Sequence, residues 1–157
     1  MPADHSFVQR NDASRQRLTA TVGRLRATDL QLPTDADVWT VAQVLGHLAF
    51  WDRFLAARWR AALAIGPAEQ PTYLPDELPG LLNEALAPAW AVLVADPGGP
   101  GVQETLAAAQ VVDGIIAGLP AETPDESILA ERPALLDRSI HRLEHLAAID
   151  LGLAHGG

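Results

Sequence analysis

The sequence predicts an all-α protein, a four-helix bundle with a long second-to-third crossover that carries an accessory short helix. Hydrophobic residues make up 48% of the chain and aromatic residues only 5%. Alanine and leucine dominate the hydrophobic set, which favours helix over sheet. Several long stretches also repeat their apolar residues at helical spacing. With 157 residues, the chain is expected to form a single domain, residues 1–157.

The first two long helices are predicted for residues 6–29 and 41–65. In the first, apolar residues recur at helical spacing between arginines. A turn-rich connector follows at residues 32–37. Thr40 and Gln43 then have the spacing of a capping box, in which each side chain satisfies a free backbone N–H of the other residue. The second helix should therefore begin directly after Thr40, and a Gly-Pro pair should end it.

The crossover is predicted to contain an extended segment, a helix and a loop. Residues 68–79 are punctuated by prolines, and residues 81–94 return to the helical pattern. Pro88 should make this accessory helix short or kinked. The glycines of residues 96–101 have neither of the two spacings typical of phosphate-binding loops, so this segment is expected to be a linker between helices.

The last two long helices are predicted for residues 102–117 and 133–153. The first of them is followed by Gly and then Pro, the usual order after a helix. Residues 121–132 are acidic and are expected to be irregular. Pro133 suits the first position of the final helix, because a proline there lacks only an N–H that would have no partner in any case.

The charge and the residue inventory exclude several classes of protein. A net charge of -9, from 20 acidic and 11 basic residues, argues against binding to nucleic acid, which needs clustered cations. No apolar run is long enough for a membrane span and the N-terminus is polar, so a soluble, cytoplasmic protein is expected. Because there is no cysteine, a metal would have to be held by His, Asp or Glu, and thiol chemistry would need an external thiol.

Three histidines form a candidate metal site. His141 and His145 are four positions apart in the final helix, which places both imidazoles on one face. His47 lies in the middle of the second helix, at the edge of its apolar side. By itself, a His-x-x-x-His pair is more often a partly exposed surface pair. With His47 added, two adjacent helices would present three neutral imidazoles and leave open positions on the ion, as in many catalytic metal sites.

Two other metal motifs are disfavoured. His141 to His145 matches the H-x-x-E-H pattern of inverted zincin peptidases, with Glu144 as the general base. Those enzymes need a further ligand downstream, and only 12 residues follow His145. A ferritin-like di-iron centre would need Glu-x-x-His pairs, and the sequence contains none.

The residues around the histidines resemble a known family. The run Trp39-Thr-Val-Ala-Gln-Val-Leu-Gly-His47-Leu, together with the pair His141-x-x-x-His145, is similar to the pattern of the DinB-like superfamily. This superfamily includes mycothiol-dependent maleylpyruvate isomerase and bacillithiol transferases. The resemblance implies a four-helix bundle, often a homodimer, with one divalent metal ion, usually zinc or nickel. It also implies that His47, His141 and His145 are the ligands of that ion.

Within the family, the all-histidine set is more similar to the thiol transferases than to maleylpyruvate isomerase, which has Glu where this chain has His141. The resemblance therefore implies an enzyme that transfers a low-molecular-weight thiol of the mycothiol or bacillithiol class to or from a small electrophilic substrate. Trp51 and Arg138, each about one helical turn from a ligand, are expected to line the substrate pocket, with Arg138 facing an anionic group.

Two alternatives of other classes stay open at the level of sequence. A metal-dependent hydrolase would use the same three histidines with water as the nucleophile. A non-catalytic dimer would bind a metal ion or a small molecule without turning it over. Activity without added thiol would indicate the hydrolase.

Overall fold

A computed structural model of the protein describes residues 5–34 and 39–156, and these residues form six α-helices. Two short 3-10 turns, at residues 27–31 and 133–135, separate some of them, and the described residues contain no strand. The all-α prediction is therefore confirmed. The helices are α1 (Ser6–Arg24), α2 (Val41–Ile65), α3 (Leu78–Leu93), α4 (Pro100–Ala117), α5 (Asp125–Glu131) and α6 (Ser139–Gly156).

Four of these helices form the bundle. The central helix α2 packs against α4 and α6, and α1 packs against the same two helices from the other side. The accessory helix α3 belongs to the long crossover between α2 and α4 and lies against α2. Leucine side chains that are completely inaccessible to solvent fill the centre, among them Leu18, Leu45 and Leu146. No helix in the described part of the chain is long and apolar enough to cross a bilayer.

The helix α2 begins and ends at the predicted residues. The side chain of Thr40 accepts a hydrogen bond from the backbone N–H of Gln43, and the Gln43 side chain accepts one from the backbone N–H of Thr40, at 3.3 and 2.9 Å. This reciprocal capping box fixes the start of the helix that carries His47. The predicted connector before it, residues 32–37, lies in part outside the described residues.

Two helix boundaries differ from the prediction by five residues or more, and the others by three or fewer. The helix α1 ends at Arg24, because Asp29 accepts a hydrogen bond from the backbone N–H of Arg26 at 2.8 Å and so starts a separate 3-10 turn. The final helix begins at Ser139 instead of Pro133. There Asp137 accepts from the backbone N–H of Ser139 at 3.1 Å, as capping residues do at helix starts.

Two segments are more helical than predicted. Residues 121–132, expected to be irregular, contain the short helix α5, whose first turn holds Asp125 and Glu126. Acidic residues stabilise that end of a helix through its dipole. The accessory helix α3 continues through Pro88 for 16 residues, since a proline removes one backbone hydrogen bond without always ending the helix.

Candidate metal centre

The structure brings the three predicted histidines together. One ring nitrogen from each of His47, His141 and His145 lies within 4.8 Å of the others. The closest pair is the Nε2 atoms of His47 and His141, 2.9 Å apart. The ring centroids are separated by 4.6 to 4.9 Å in all three pairs. Three convergent imidazoles of this kind could hold a metal ion, because divalent transition metals prefer such nitrogen ligands.

The three clustered histidines are uncharged at neutral pH, which favours the binding of a cation. Burial is the main cause that lowers the pKa of His47, to about 3, and the charge of His145 lowers it further. Burial, followed by the charge of Arg138, lowers the pKa of His141 to about 2. Burial also lowers the pKa of His145. All three rings are therefore neutral at neutral pH, the protonation state in which imidazoles ligate metal ions. In the absence of an ion, Nε2–H of His141 donates a hydrogen bond to Nε2 of His47 at 2.9 Å, because Arg138 donates to Nδ1 of His141.

The orientation of His47 is set by Asn83 of α3. The Asn83 side-chain oxygen accepts a hydrogen bond from the Trp51 indole N–H at 2.7 Å and lies 3.2 Å from Nδ1 of His47. An oxygen in this position requires the proton of His47 to be on Nδ1. The lone pair is then on Nε2, which faces His141 and the centre of the cluster. Partners of this kind orient the histidine ligands of metal sites and tune their affinity.

Nothing in the sequence pointed to Asn83. It is a single polar residue in the accessory helix, 36 positions from His47, and it belongs to no motif. Only the packing of α3 against α2 brings the two residues together.

A cavity of about 370 Å³ lies beside the cluster, and it is bordered by His141 and by both predicted pocket residues, Trp51 and Arg138. Its other walls are mainly apolar. The Trp51 indole N–H is already donated to Asn83. The Arg138 guanidinium donates to Asp52 at 3.0 Å and lies 3.3 Å from Nδ1 of His141. A ligand in this cavity would therefore be next to one histidine of the cluster.

A buried network of charges fixes α6 against α2 and α4. Arg142 is completely buried, and its guanidinium donates to Asp113 at 2.7 and 2.8 Å and to Asp52 at 3.3 Å. Asp52 also pairs with Arg138. Burial opposes the charge of Arg142, but the hydrogen bond to Asp113 and the charge of Asp52 hold its pKa above the ordinary value. Breaking such a pair would leave an unpaired buried charge, so the network fixes the arrangement of these helices.

The sequence contained only a faint signal of this network. Arg138 and Arg142 are four positions apart, the same spacing as His141 and His145. Charged residues in a helix are usually exposed, however, so this spacing alone did not indicate burial.

The fold and the site together define the class: an all-α bundle protein in which two adjacent helices gather three histidines that could hold a metal ion. Residues 10–154 match the sequence profile of the DinB superfamily. Because the match covers nearly the whole chain, the protein belongs to the DinB superfamily, and the resemblance described above is confirmed. No curated protein and no solved structure matches the chain at a significant level.

Proposed function

We propose that this protein is a divalent-metal-dependent enzyme that transfers a low-molecular-weight thiol, of the mycothiol or bacillithiol class, to or from a small electrophilic substrate. The observation that carries the proposal is the cluster of three neutral, convergent histidines beside a cavity. His47, His141 and His145 would hold zinc or nickel. An ion bound by three imidazoles stabilises a deprotonated nucleophile near neutral pH.

The residues around the cavity have distinct tasks in this proposal. Asn83 holds His47 with its Nε2 lone pair towards the cluster. Trp51 and the apolar walls exclude water from one side of the reacting group. Arg138 lies next to His141 and would attract an anionic group of the substrate or the thiol, although Asp52 already compensates part of its charge. Since the chain has no cysteine, the thiol must come from outside.

A metal-dependent hydrolase is the second candidate, and one observation favours it. Glu144 lines the same cavity as His141, and its charge acts on His145. An exposed carboxylate in this position can accept a proton from an attacking water molecule. In the third candidate, a non-catalytic dimer, the histidines would bind metal without turnover.

Elemental analysis tests the metal first. Protein purified without chelator or nickel resin should contain about one divalent ion per chain, because three neutral imidazoles bind such ions well. His47→Ala should lose the ion. His5→Ala, which changes an exposed histidine outside the cluster, should keep it. If the purified protein neither contains metal nor takes up zinc or nickel at pH 7.5, the metal site is wrong.

Turnover of an electrophile then separates the candidates. The metal-loaded protein should accelerate the loss of monobromobimane or chlorodinitrobenzene only when a thiol is supplied, and it should prefer one of mycothiol, bacillithiol, glutathione and coenzyme A. His145→Ala should abolish this acceleration, whereas His155→Ala, an exposed histidine on the same helix, should retain it. Thiol-independent hydrolysis of esters would support the hydrolase. Absence of any metal-dependent turnover would support the binding protein.

A further inference from the structure

The cavity beside His141 adjoins a second cavity of about 290 Å³. Arg58 and Ile140 line both cavities, as do Ala134 and Leu135. The two cavities are therefore adjoining parts of one groove between α2 and the start of α6. We call it the α2–α6 groove. One end is next to His141, and the other is bordered by residues of the crossover and by Arg132.

The distal end of the groove contains two arginines that have no carboxylate oxygen within 4.0 Å. Acidic residues outnumber arginines, 20 to 11, and eight of the eleven arginines have a carboxylate oxygen within 4.0 Å. Among the described residues, only Arg58, Arg60 and Arg132 lack such a partner. Arg58 and Arg132 both line the distal cavity, whereas Arg60 is exposed and lines neither cavity.

Neutral groups hold the two arginines in place. Arg58 donates a hydrogen bond to the carbonyl of Thr72. Arg132 donates to the side chain of Gln70 at 2.8 Å and to the carbonyl of Pro71 at 2.6 Å. These acceptors fix the guanidinium groups without neutralising them.

Repulsion between the two arginines adds a second argument. The guanidinium of Arg132 is held in place by the Tyr73 ring, whose centroid lies 4.0 Å away. Burial, and then the positive charge of Arg132, lower the pKa of Arg58. Two partly buried like charges repel each other, and an anion between them would remove that repulsion.

We propose that the α2–α6 groove binds an elongated organic anion whose carboxylate or phosphate lies between Arg58 and Arg132 and whose other end reaches His141. This inference rests on the proposed function, because it names the substrate class of that site. Phe54 and Leu135 provide an apolar surface between the two ends. At the histidine end, Arg138 is already paired with Asp52 and Glu144 disfavours a further anion, so the anionic group of this ligand is oriented towards Arg58 and Arg132.

The two ends of the groove lie at different levels of α2, which favours an elongated molecule. Arg58 is eleven residues beyond His47 on the same helix, which corresponds to roughly 16 Å along the helix axis. The long side chain of Arg58 shortens this span, since it lines the same cavity as His141. A compact anion such as acetate would occupy only the arginine end.

The test measures binding by calorimetry on zinc-loaded protein without thiol. Three matched probes are used: 5-phenylpentanoate, 4-phenylbutyl phosphate and the neutral 5-phenylpentanamide. At least one anion should bind about tenfold or more tightly than the amide, because hydrogen bonds to charged groups are stronger than neutral ones. The two anionic arms distinguish a carboxylate ligand from a phosphate ligand.

Substitutions of single arginines show which residues cause the preference for the anionic probes. Arg58→Gln and Arg132→Gln should each reduce the preference for the anion about tenfold, while the affinity for the amide changes less than threefold. Arg60→Gln, which removes the same charge two residues away on α2, should keep the full preference. Arg58→Lys should retain part of it, which shows that a loss in Arg58→Gln reflects charge and not misfolding.

Three results would overturn the inference. The first is equal or unmeasurable binding of all probes by the wild type. The second is an anion preference that survives both glutamine variants. The third is a loss of the anion preference in Arg60→Gln that equals the loss in Arg58→Gln. Because no thiol is present, these results are independent of thiol-dependent turnover. Turnover without anion preference would overturn this inference alone, whereas anion preference without turnover would overturn the proposed reaction alone.

Discussion

Burial controls the chemistry of the three clustered histidines. Free imidazoles have a pKa near 6.5, so three of them would bind zinc about 50-fold more weakly at pH 6.0 than at pH 7.5, because protons compete for each nitrogen. In the folded protein the pKa of His47 is lowered to about 3 and that of His141 to about 2. Protons then compete with the metal for these two rings only at a much lower pH.

This difference gives a prediction about pH. The affinity of the folded protein for zinc should fall by less than about fourfold between pH 7.5 and pH 6.0. About fourfold is the loss expected if one of the three histidines kept the pKa of a free imidazole, near 6.5. The pKa of His145 is itself lowered, so the expected change is smaller still. Competition with a chromophoric chelator at both pH values measures it. A 50-fold loss of affinity would show that the cluster is open to solvent.

Asn83 provides a second prediction for single residues. Asn83→Ala removes the acceptor for Nδ1 of His47 and for the Trp51 indole, so zinc affinity should fall about 10- to 100-fold, as it does when other orienting partners are removed. Asn83→Asp keeps an acceptor oxygen and should retain most of the affinity. An Asn83→Ala protein that binds zinc as tightly as the wild type would contradict this role.

Among single residues, the sequence identified those site residues that share a helix or a motif. His141 and His145 were found from their spacing, and His47 from its position beside an apolar face. Asn83 was not found, because its partner lies 36 positions away and the contact exists only after α3 docks on α2. The buried Arg142 was not found either, because its burial depends on Asp52 and Asp113 of two other helices.

The contact between α2 and α3 depends on a glycine next to the metal cluster. A Cβ atom at Gly46 would lie 2.5 Å from Cβ of Trp90 and 2.6 Å from its Cγ. These atoms are close to the α3 backbone, so they cannot move aside without moving the helix. The absence of a side chain at Gly46 therefore lets α3 approach α2 closely enough for Asn83 to reach His47.

Two glycine substitutions test this close approach. Gly46→Ala should destabilise the protein by about 1–3 kcal/mol, the usual cost of overpacking, and should also weaken zinc binding. Gly114→Ala is the matched control, since a Cβ there has no atom within 4 Å. It should stabilise α4 by about 0.5–1 kcal/mol, because alanine favours helix over glycine. Urea unfolding measures both, and a neutral Gly46→Ala would contradict the packing argument.

Helix boundaries were predictable where local capping sets them. Both ends of α2 lie at the residues that the sequence predicted, since Thr40 and Gln43 cap its start and Gly66 follows its end. The predicted start of α6 was wrong, because a tertiary contact acts there together with the local cap Asp137. The Asn11 side-chain oxygen accepts a hydrogen bond from the backbone N–H of Arg138 at 2.7 Å, and nothing in the local sequence of α6 shows this partner.

Two copies of the chain are expected to associate as a homodimer. Several large apolar side chains are exposed on the single chain, including Leu81, Val92 and Leu93 of α3, which are 61 to 75% exposed. Covering such residues favours association. Light scattering at about 50 µM should therefore give twice the mass of the 16.7 kDa chain, since a stable interface of ordinary size persists at that concentration. The mass of one chain would contradict the prediction.

Metal binding should also stabilise the whole fold, because the three histidines belong to two helices, α2 and α6, that are far apart in the chain. An ion held by the folded state alone adds about 2.7 kcal/mol to the free energy of unfolding when its free concentration is 100 times the dissociation constant. For a chain of this size, each kcal/mol raises the melting temperature by about 2–4 °C. Zinc at that concentration should therefore raise the melting temperature by about 5–10 °C in thermal denaturation.

His145→Ala should lose most of this rise, while His155→Ala on the same helix should show all of it. A rise that is equal in both variants would mean that zinc binds elsewhere, and no rise in the wild type would mean that the cluster holds no zinc.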